Sequence, residues 1–315
     1  MSEKKIATRD SYGAALVECA EHDSEIVVLD ADLAAATKTG MFKKAHPDRF
    51  IDCGIAECNM MGVAAGLAAS GKKVFASTFA MFAAGRAFEI VRNSIGYPHL
   101  PVKICATHAG ISVGEDGASH QCCEDIALMR AIPGMTVINP SDDVETKAAI
   151  RALVDFDGPA YVRLGRLAVP VINDNESYHF EIGKGVQLKD GSDVTILATG
   201  LMVAPALEAA KTLEAEGISA RVINIHTIKP LDGDIIRKAA EETGLLVTVE
   251  EHNVMGGFGS AVSEFCSENC PIRVVKIGVN DTFGQSGPAA ELLDVYGLNA
   301  QNIVDTVKRA VSEKK

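Results

Sequence analysis

Glu57 stands in a nearly uncharged run, Gly54-Ile55-Ala56-Glu57-Cys58-Asn59-Met60-Met61-Gly62. Phe50-Ile51-Asp52-Cys53-Gly54 before it reads as a strand end and turn, and 59–69 after it as a small-residue helix that Gly71 terminates. A carboxylate at such a junction has two readings. It can sit in the first helical turn because the helix dipole favours it there. It can also do proton chemistry, since Ile55, Ala56, Cys58 and Met60 offer a charge no compensation unless a partner shares its proton.

Three further clusters have residue types suited to chemistry. In Ser77-Thr78-Phe79-Ala80-Met81-Phe82, two rings at helical spacing either pack in a core or present a face to a planar ligand. The densest cluster, 107–121, holds Thr107, His108, Ser112, Glu115, Asp116, His120 and Gln121, broken by Gly110, Gly114 and Gly117. It follows a strand, where open α/β sheets place their sites, and its glycines let backbone approach a ligand closely. Two histidines and an aspartate in one such loop favour function over structure, and their spacing is not that of a zinc site. Last, Arg166 closes Ala160-Tyr161-Val162-Arg163-Leu164-Gly165-Arg166 and can either grip a phosphate bidentately or form a surface ion pair. By contrast, Gly256-Gly257-Phe258-Gly259 lacks a phosphate-loop lysine and dinucleotide-binding spacing, and is read as tight packing.

The elements that must position these residues alternate along the chain. Apolar runs at 26–29, 73–76, 102–105, 136–138 and 160–164 read as strands, with helices at 83–94 and 143–154 between them. A polar, irregular stretch at 171–191 reads as a linker, and a second series begins at 194–198 with further strands at 220–224, 245–249 and 273–276. The expected fold is α/β, with two doubly wound domains at 1–170 and 192–315, the first larger and mainly parallel. Such architecture alone is compatible with many functions.

Composition narrows the partners. A formal charge of −12 argues against nucleic acid or an anionic membrane, while leaving room for a small anionic substrate held by local cations. No apolar run has the length of a membrane span, and the N-terminus has no signal-peptide core. The 8 cysteines lack paired metal spacing and read as reduced thiols, so a cytoplasmic location is expected.

Taken in order, the clusters resemble those of transketolase and its relatives among the thiamine-diphosphate enzymes, over nearly the whole chain. Gly54-Ile55-Ala56-Glu57 is similar to the family's cofactor-activating segment, Ser77 to Phe82 to its pyrimidine-stacking segment, and Thr107-His108 with Gly114-Glu115-Asp116-Gly117 and His120-Gln121 to its substrate loop. His226-Thr227-Ile228-Lys229-Pro230-Leu231-Asp232 and Gly256 to Gly259 resemble its C-terminal domain. The resemblance implies that Glu57 hydrogen-bonds N1′ of the aminopyrimidine, that Phe82 stacks on that ring with Phe79 beside it, and that Asp32 lines the cofactor pocket. It implies further that Asp116 and His120 bind sugar hydroxyls and that His108 and Arg166 hold a sugar phosphate. The reaction implied is transfer of a two-carbon ketol unit from a ketose phosphate to an aldose phosphate.

The family's Gly-Asp-Gly…Asn motif for diphosphate and Mg2+ has no counterpart here. The resemblance is therefore to the C-terminal subunit of a split transketolase. A separate N-terminal subunit is expected to hold Mg2+ and the diphosphate, with the active site between subunits in a heterotetramer. Three departures bear on specificity. Ala36 stands where the larger enzymes have a phosphate-binding serine, with Thr37 or Lys38 as substitutes; Cys58 replaces glutamine, and Gly85 replaces tyrosine. Rival readings are a deoxyxylulose-phosphate synthase, a 2-oxoacid dehydrogenase β subunit, or a non-catalytic scaffold. The paired His108 and His120 favour transketolase over the first two, and joint retention of Glu57, Asp116, His120 and Arg166 argues against the last.

Overall fold

The computed structural model describes residues 4–314. Its strands in chain order are β1 (Lys5–Ala7), β2 (Ile26–Asp30), β3 (Phe50–Asp52), β4 (Lys73–Phe79), β5 (Val102–Thr107), β6 (Thr136–Ile138) and β7 (Ala160–Arg163). Then come β8 (Ala168–Pro170), β9 (Val186–Lys189), β10 (Val194–Ala198), β11 (Ala220–Asn224), β12 (Thr227–Lys229), β13 (Leu246–Asn253) and β14 (Val274–Val279). Seven form one sheet in the order β12-β6-β7-β5-β4-β2-β3, and five form a second in the order β14-β13-β10-β11-β9. All pairings in the large sheet are parallel except that of β12, which runs antiparallel to β6. The fold is thus α/β with mainly parallel sheets, and the central strands are buried along their length because helices cover both faces.

Three differences from the sequence reading have physical reasons. The stretch 171–191 is not all linker, because β9 pairs antiparallel with β11 as an edge strand whose residues are half-exposed. Asp142 fastens the start of that stretch by accepting from the backbone N–H groups of Ile172 and Asn173, each at 2.8 Å. The helix expected at 83–94 is a run of π-type turns over Met81–Arg86 and Val91–Gly96 around a short α-helical segment. Such turns re-aim side chains and recur at functional sites. Finally, the strand expected at 245–249 runs on through Glu250-Glu251-His252-Asn253 as the rest of β13, largely buried.

The two sheets are stapled together. β12, from the second half of the chain, completes the first sheet by pairing Thr227 with Ile138. Lys229 Nζ donates to the carbonyls of Arg130 and Ile132 at 2.8 and 2.6 Å. The His226-Thr227-Ile228-Lys229 motif is therefore an architectural clasp, with His226 buried.

Candidate active site

The parallel strands β2, β3, β4, β5 and β7 end on one edge of the large sheet, and the candidate residues follow those ends. Glu57 opens the helix Glu57–Ala69, whose N-cap residue Ala56 supplies no side-chain cap. Its carboxyl is only 2% exposed, although Ile55 beside it is 78% exposed. Glu57 Oε2 accepts from Arg86 Nη1 at 3.3 Å. It is thus a buried acid at the rim of a surface, which a dipole role alone does not require.

Arg86 links Glu57 to a column of planar groups. Its guanidinium lies 4.9 Å from the centre of the Phe82 ring. Phe82 and Phe79 lie nearly parallel with centroids 6.0 Å apart, and the His108 imidazole stacks on Phe79 at 3.8 Å. One face of Phe79 is therefore committed to His108, while Phe82 carries the partly exposed Arg86 guanidinium. The His120 ring meets both phenylalanines edge-on, at 6.3 and 5.4 Å, and its Nδ1 lies 2.9 Å from Ser119 Oγ.

At the far end of the column, His108 Nε2 is 3.0 Å from Arg9 Nη1. A guanidinium only donates, so Nε2 accepts, and the ring proton sits on Nδ1 and is donated to Thr107 Oγ1 at 2.9 Å. Burial, then the cationic Arg9 and Arg166, with His120 and Lys38 behind them, bring the pKa of His108 down to about 3. The imidazole is neutral at physiological pH, a hydrogen-bonding group rather than a cation. Arg9 itself, on the helix Thr8–His22, also donates to the Ala36 carbonyl at 3.0 Å.

Arg166 lies three residues beyond β7, where it donates to the Val113 carbonyl and pairs with the exposed Glu115 at 2.6 Å. Arg9, Arg166 and Ser112 line one open cavity of about 460 Å³, together with Pro288, Ala289 and Ala290. Ser112 Oγ is buried with no hydrogen-bond partner among the described residues.

The loop from Gly110 to Gln121 is held from both domains. Glu251 accepts from the Ser112 N–H at 2.6 Å. Gln121 Nε2 donates to the carbonyls of Ile111, Gly114 and Gln285, at 3.1, 3.3 and 3.0 Å. Asp116 rides exposed on this loop. Asp32 is also exposed, with φ of 61°, and its N–H donates to Asp52 Oδ1, which accepts from Gly54 N–H as well. It therefore borders the turn that carries Glu57.

Two residues central to this geometry, Arg9 and Arg86, were not legible as site residues. Each looks like an ordinary helical arginine, and only the fold sets Arg9 against His108 and Arg86 against Glu57. The departures also find their places. Thr37 cannot substitute for a serine at Ala36, because its buried hydroxyl donates to Asp30 Oδ2 at 2.7 Å. Lys38 is paired with Asp10 at 3.2 Å, and the cation that reaches Ala36 is Arg9. Cys58 is exposed, with Sγ 3.5 Å from the Arg86 carbonyl. A Cβ at Gly85 would meet the Met81 methyl at 2.6 Å, so methionine fills that space. Among the described residues, no group of three or more His, Cys, Asp or Glu side chains is arranged to hold a metal ion, and no helix is long and apolar enough to cross a membrane.

Residues 4–171 match the family model of the transketolase pyrimidine-binding domain, and 183–303 that of the transketolase C-terminal domain. The chain is 52% identical to a putative transketolase C-terminal section of Methanocaldococcus jannaschii, over 98% of this chain and 96% of that protein. It is 45% identical to the 6-deoxy-6-sulfo-D-fructose transketolase subunit SqwH of Clostridium sp. strain MSTE9, over 98% and 95% of the two. Among solved structures, a split-gene transketolase described as an inactive β4 tetramer superposes with a TM-score of 0.92 at 56% identity, covering 98% of this chain and all (100%) of that one.

Proposed function

The chain belongs to the transketolase family as a C-terminal subunit, and on that premise we propose that it completes a thiamine-diphosphate-dependent ketol transferase with a separate N-terminal subunit. The observation that carries this reading is the buried Glu57 carboxyl at the edge of the Phe82 face. A flat guanidinium already rests on that ring and bonds that acid. The slot therefore fits a flat, nitrogen-bearing ring such as the aminopyrimidine of thiamine diphosphate. Bound there, the cofactor supplies a nucleophilic carbon for the ketose carbonyl.

This chain's residues would then do four things. Glu57, shielded from water, shares a proton with the ring nitrogen it faces. Phe82 stacks on the ring, Phe79 backs it, and Asp32 borders the pocket. His120, edge-on to both rings, and Asp116 on the same loop bind sugar hydroxyls. Arg9, Arg166 and neutral His108 hold the terminal anion of a ketose or aldose phosphate. The sulfofructose relative carries a sulfonate in its substrate's name, and a terminal sugar anion of either kind suits two guanidinium groups around one cavity.

The diphosphate and Mg2+ fall to the N-terminal subunit in this proposal. The paired chains form a heterotetramer in the cytoplasm, with no nucleic-acid or membrane partner. The domain limits 1–170 and 192–315 are retained as functional units, with β9 added to the second. The pair His108, stacked on Phe79, and His120, edge-on to it, supports this reading over a deoxyxylulose-phosphate synthase or a 2-oxoacid dehydrogenase β subunit.

The test is an assay of ketol transfer with the chain alone and with its N-terminal partner. Activity is expected only for the pair, and full activity of the chain alone would overturn the split site. In the pair, Glu57→Gln should lower turnover by about 10²–10⁴-fold, the range of acid–base contributions, with a far smaller effect on cofactor binding.

A further inference from the structure

The Arg86 guanidinium does two jobs that the cofactor's ring must take over. It covers Phe82 at 4.9 Å, and it donates to Glu57 Oε2 at 3.3 Å. A guanidinium and an aminopyrimidine share the same flat N–C–N edge, so both cannot occupy one face of one ring. The demands on Glu57 also conflict. Its ion pair with Arg86 needs a charged carboxylate, whereas a carboxyl that shares its proton with a ring nitrogen needs that proton in the bond.

We propose that Arg86 is a built-in stand-in for the aminopyrimidine, keeping Glu57 paired and Phe82 covered in the free subunit and swinging out when the cofactor enters. This rests on the reading of Glu57 and Phe82 as the pyrimidine slot. Two features make the exchange easy. The Arg86 side chain is 55% exposed, against 3% for Glu57, so it leaves toward solvent while the acid stays. Arg86 also ends a π-type turn, and Glu89, exposed one turn further on and accepting from the Asn93 side chain, can receive the displaced charge. The exchange lets the buried acid remain compensated at every stage of assembly.

A competitor held in the slot lowers apparent cofactor affinity by the fraction of time the slot is free. In the assembled pair of subunits, stripped of cofactor, calorimetric titration with thiamine diphosphate and Mg2+ should show Arg86→Ala binding roughly three- to tenfold tighter than wild type. The free chain carrying Arg86→Ala should melt at a lower temperature, because Glu57 is left buried without a partner. In a Glu57→Gln background the same change should leave the melting temperature where it was. Weaker or equal cofactor binding by Arg86→Ala would overturn the stand-in role, since an arginine that serves the bound cofactor must weaken binding when lost. If wild type and variant both fail to bind the cofactor, the pyrimidine slot itself is wrong and the inference falls with it.

Discussion

At the scale of single residues, the site is organised by which groups are denied charge. His108 is buried and faces Arg9 and Arg166, and its pKa is brought down to about 3. Replacing Arg9 with methionine removes a cation and the donor to Nε2. The expected outcome is a rise in the His108 pKa that stops short of its ordinary value, because burial is the larger cause. Titration of 15N-labelled imidazole by NMR measures it, and an unmoved pKa would mean that Arg9 and His108 are not neighbours. Arg166 has the opposite character, half-exposed and engaged by Glu115. A substrate anion competes there with a solvent-exposed carboxylate, itself held below its usual pKa by that pairing, and with the Val113 carbonyl. In the two-subunit enzyme, Arg166→Ala should raise KM for phosphorylated sugars by roughly tenfold or more, the worth of one charged hydrogen bond. Unphosphorylated ketoses should be nearly unaffected, and an equal loss on both would make Arg166 structural.

Elements decide where those residues meet, and here the sequence was partly transparent. The central strands are continuous apolar runs buried on both faces, so β2, β4, β5 and β7 were legible to within a few residues, as was the junction at Glu57. What could not be read is the extension of β13 through Glu250 and Glu251. Two adjacent carboxylates normally mark a surface, yet these are satisfied by backbone N–H groups, those of Phe258 and Gly259 at the start of the next helix and that of Ser112 from a distant segment. Arg9 and Arg86 were missed for the same reason, since their partners lie on other elements. The loop at Gly110 shows what the hidden contact does. Gly110 has φ of +79°, and a Cβ there would run into the Glu251 carboxyl. Gly110→Ala is therefore expected to destabilise the chain by about 1–3 kcal/mol through backbone strain. It should also lower kcat/KM, because the loop that carries Asp116 and His120 loses its seat. A melting curve and a ketol-transfer assay of the reconstituted pair check both, and an unchanged melting temperature would show that the loop tolerates a different path.

Across the whole molecule, one buried arginine joins the two sheets. Arg163, at the end of β7, donates to Asp125 Oδ2 and to the Glu251 carbonyl, both at 2.8 Å, and to the Cys122 carbonyl at 3.3 Å. It is the cation facing Asp125, Glu250 and Glu251 in the interior between the domains, and it moderates the rise that burial imposes on the two glutamates. Burial takes Glu250 up to about 7, so between its ordinary 4.5 and 7 the folded chain binds more protons than the unfolded one, and stability falls as pH rises. His252, brought down to about 4 mainly by burial, works the other way between 4 and its ordinary 6.5. The two slopes oppose each other over their shared range, which flattens the wild-type profile. Removing Arg163 raises the glutamates further and lifts His252, so both changes tilt the profile toward acid. Arg163→Met should therefore cost about 3–5 kcal/mol at pH 8, where the carboxylates are left charged and unpaired, and distinctly less at pH 5. Urea unfolding at the two pH values measures the difference. A penalty equal at both would mean that Arg163 acts through packing alone and that the charges between the domains are balanced by some other group.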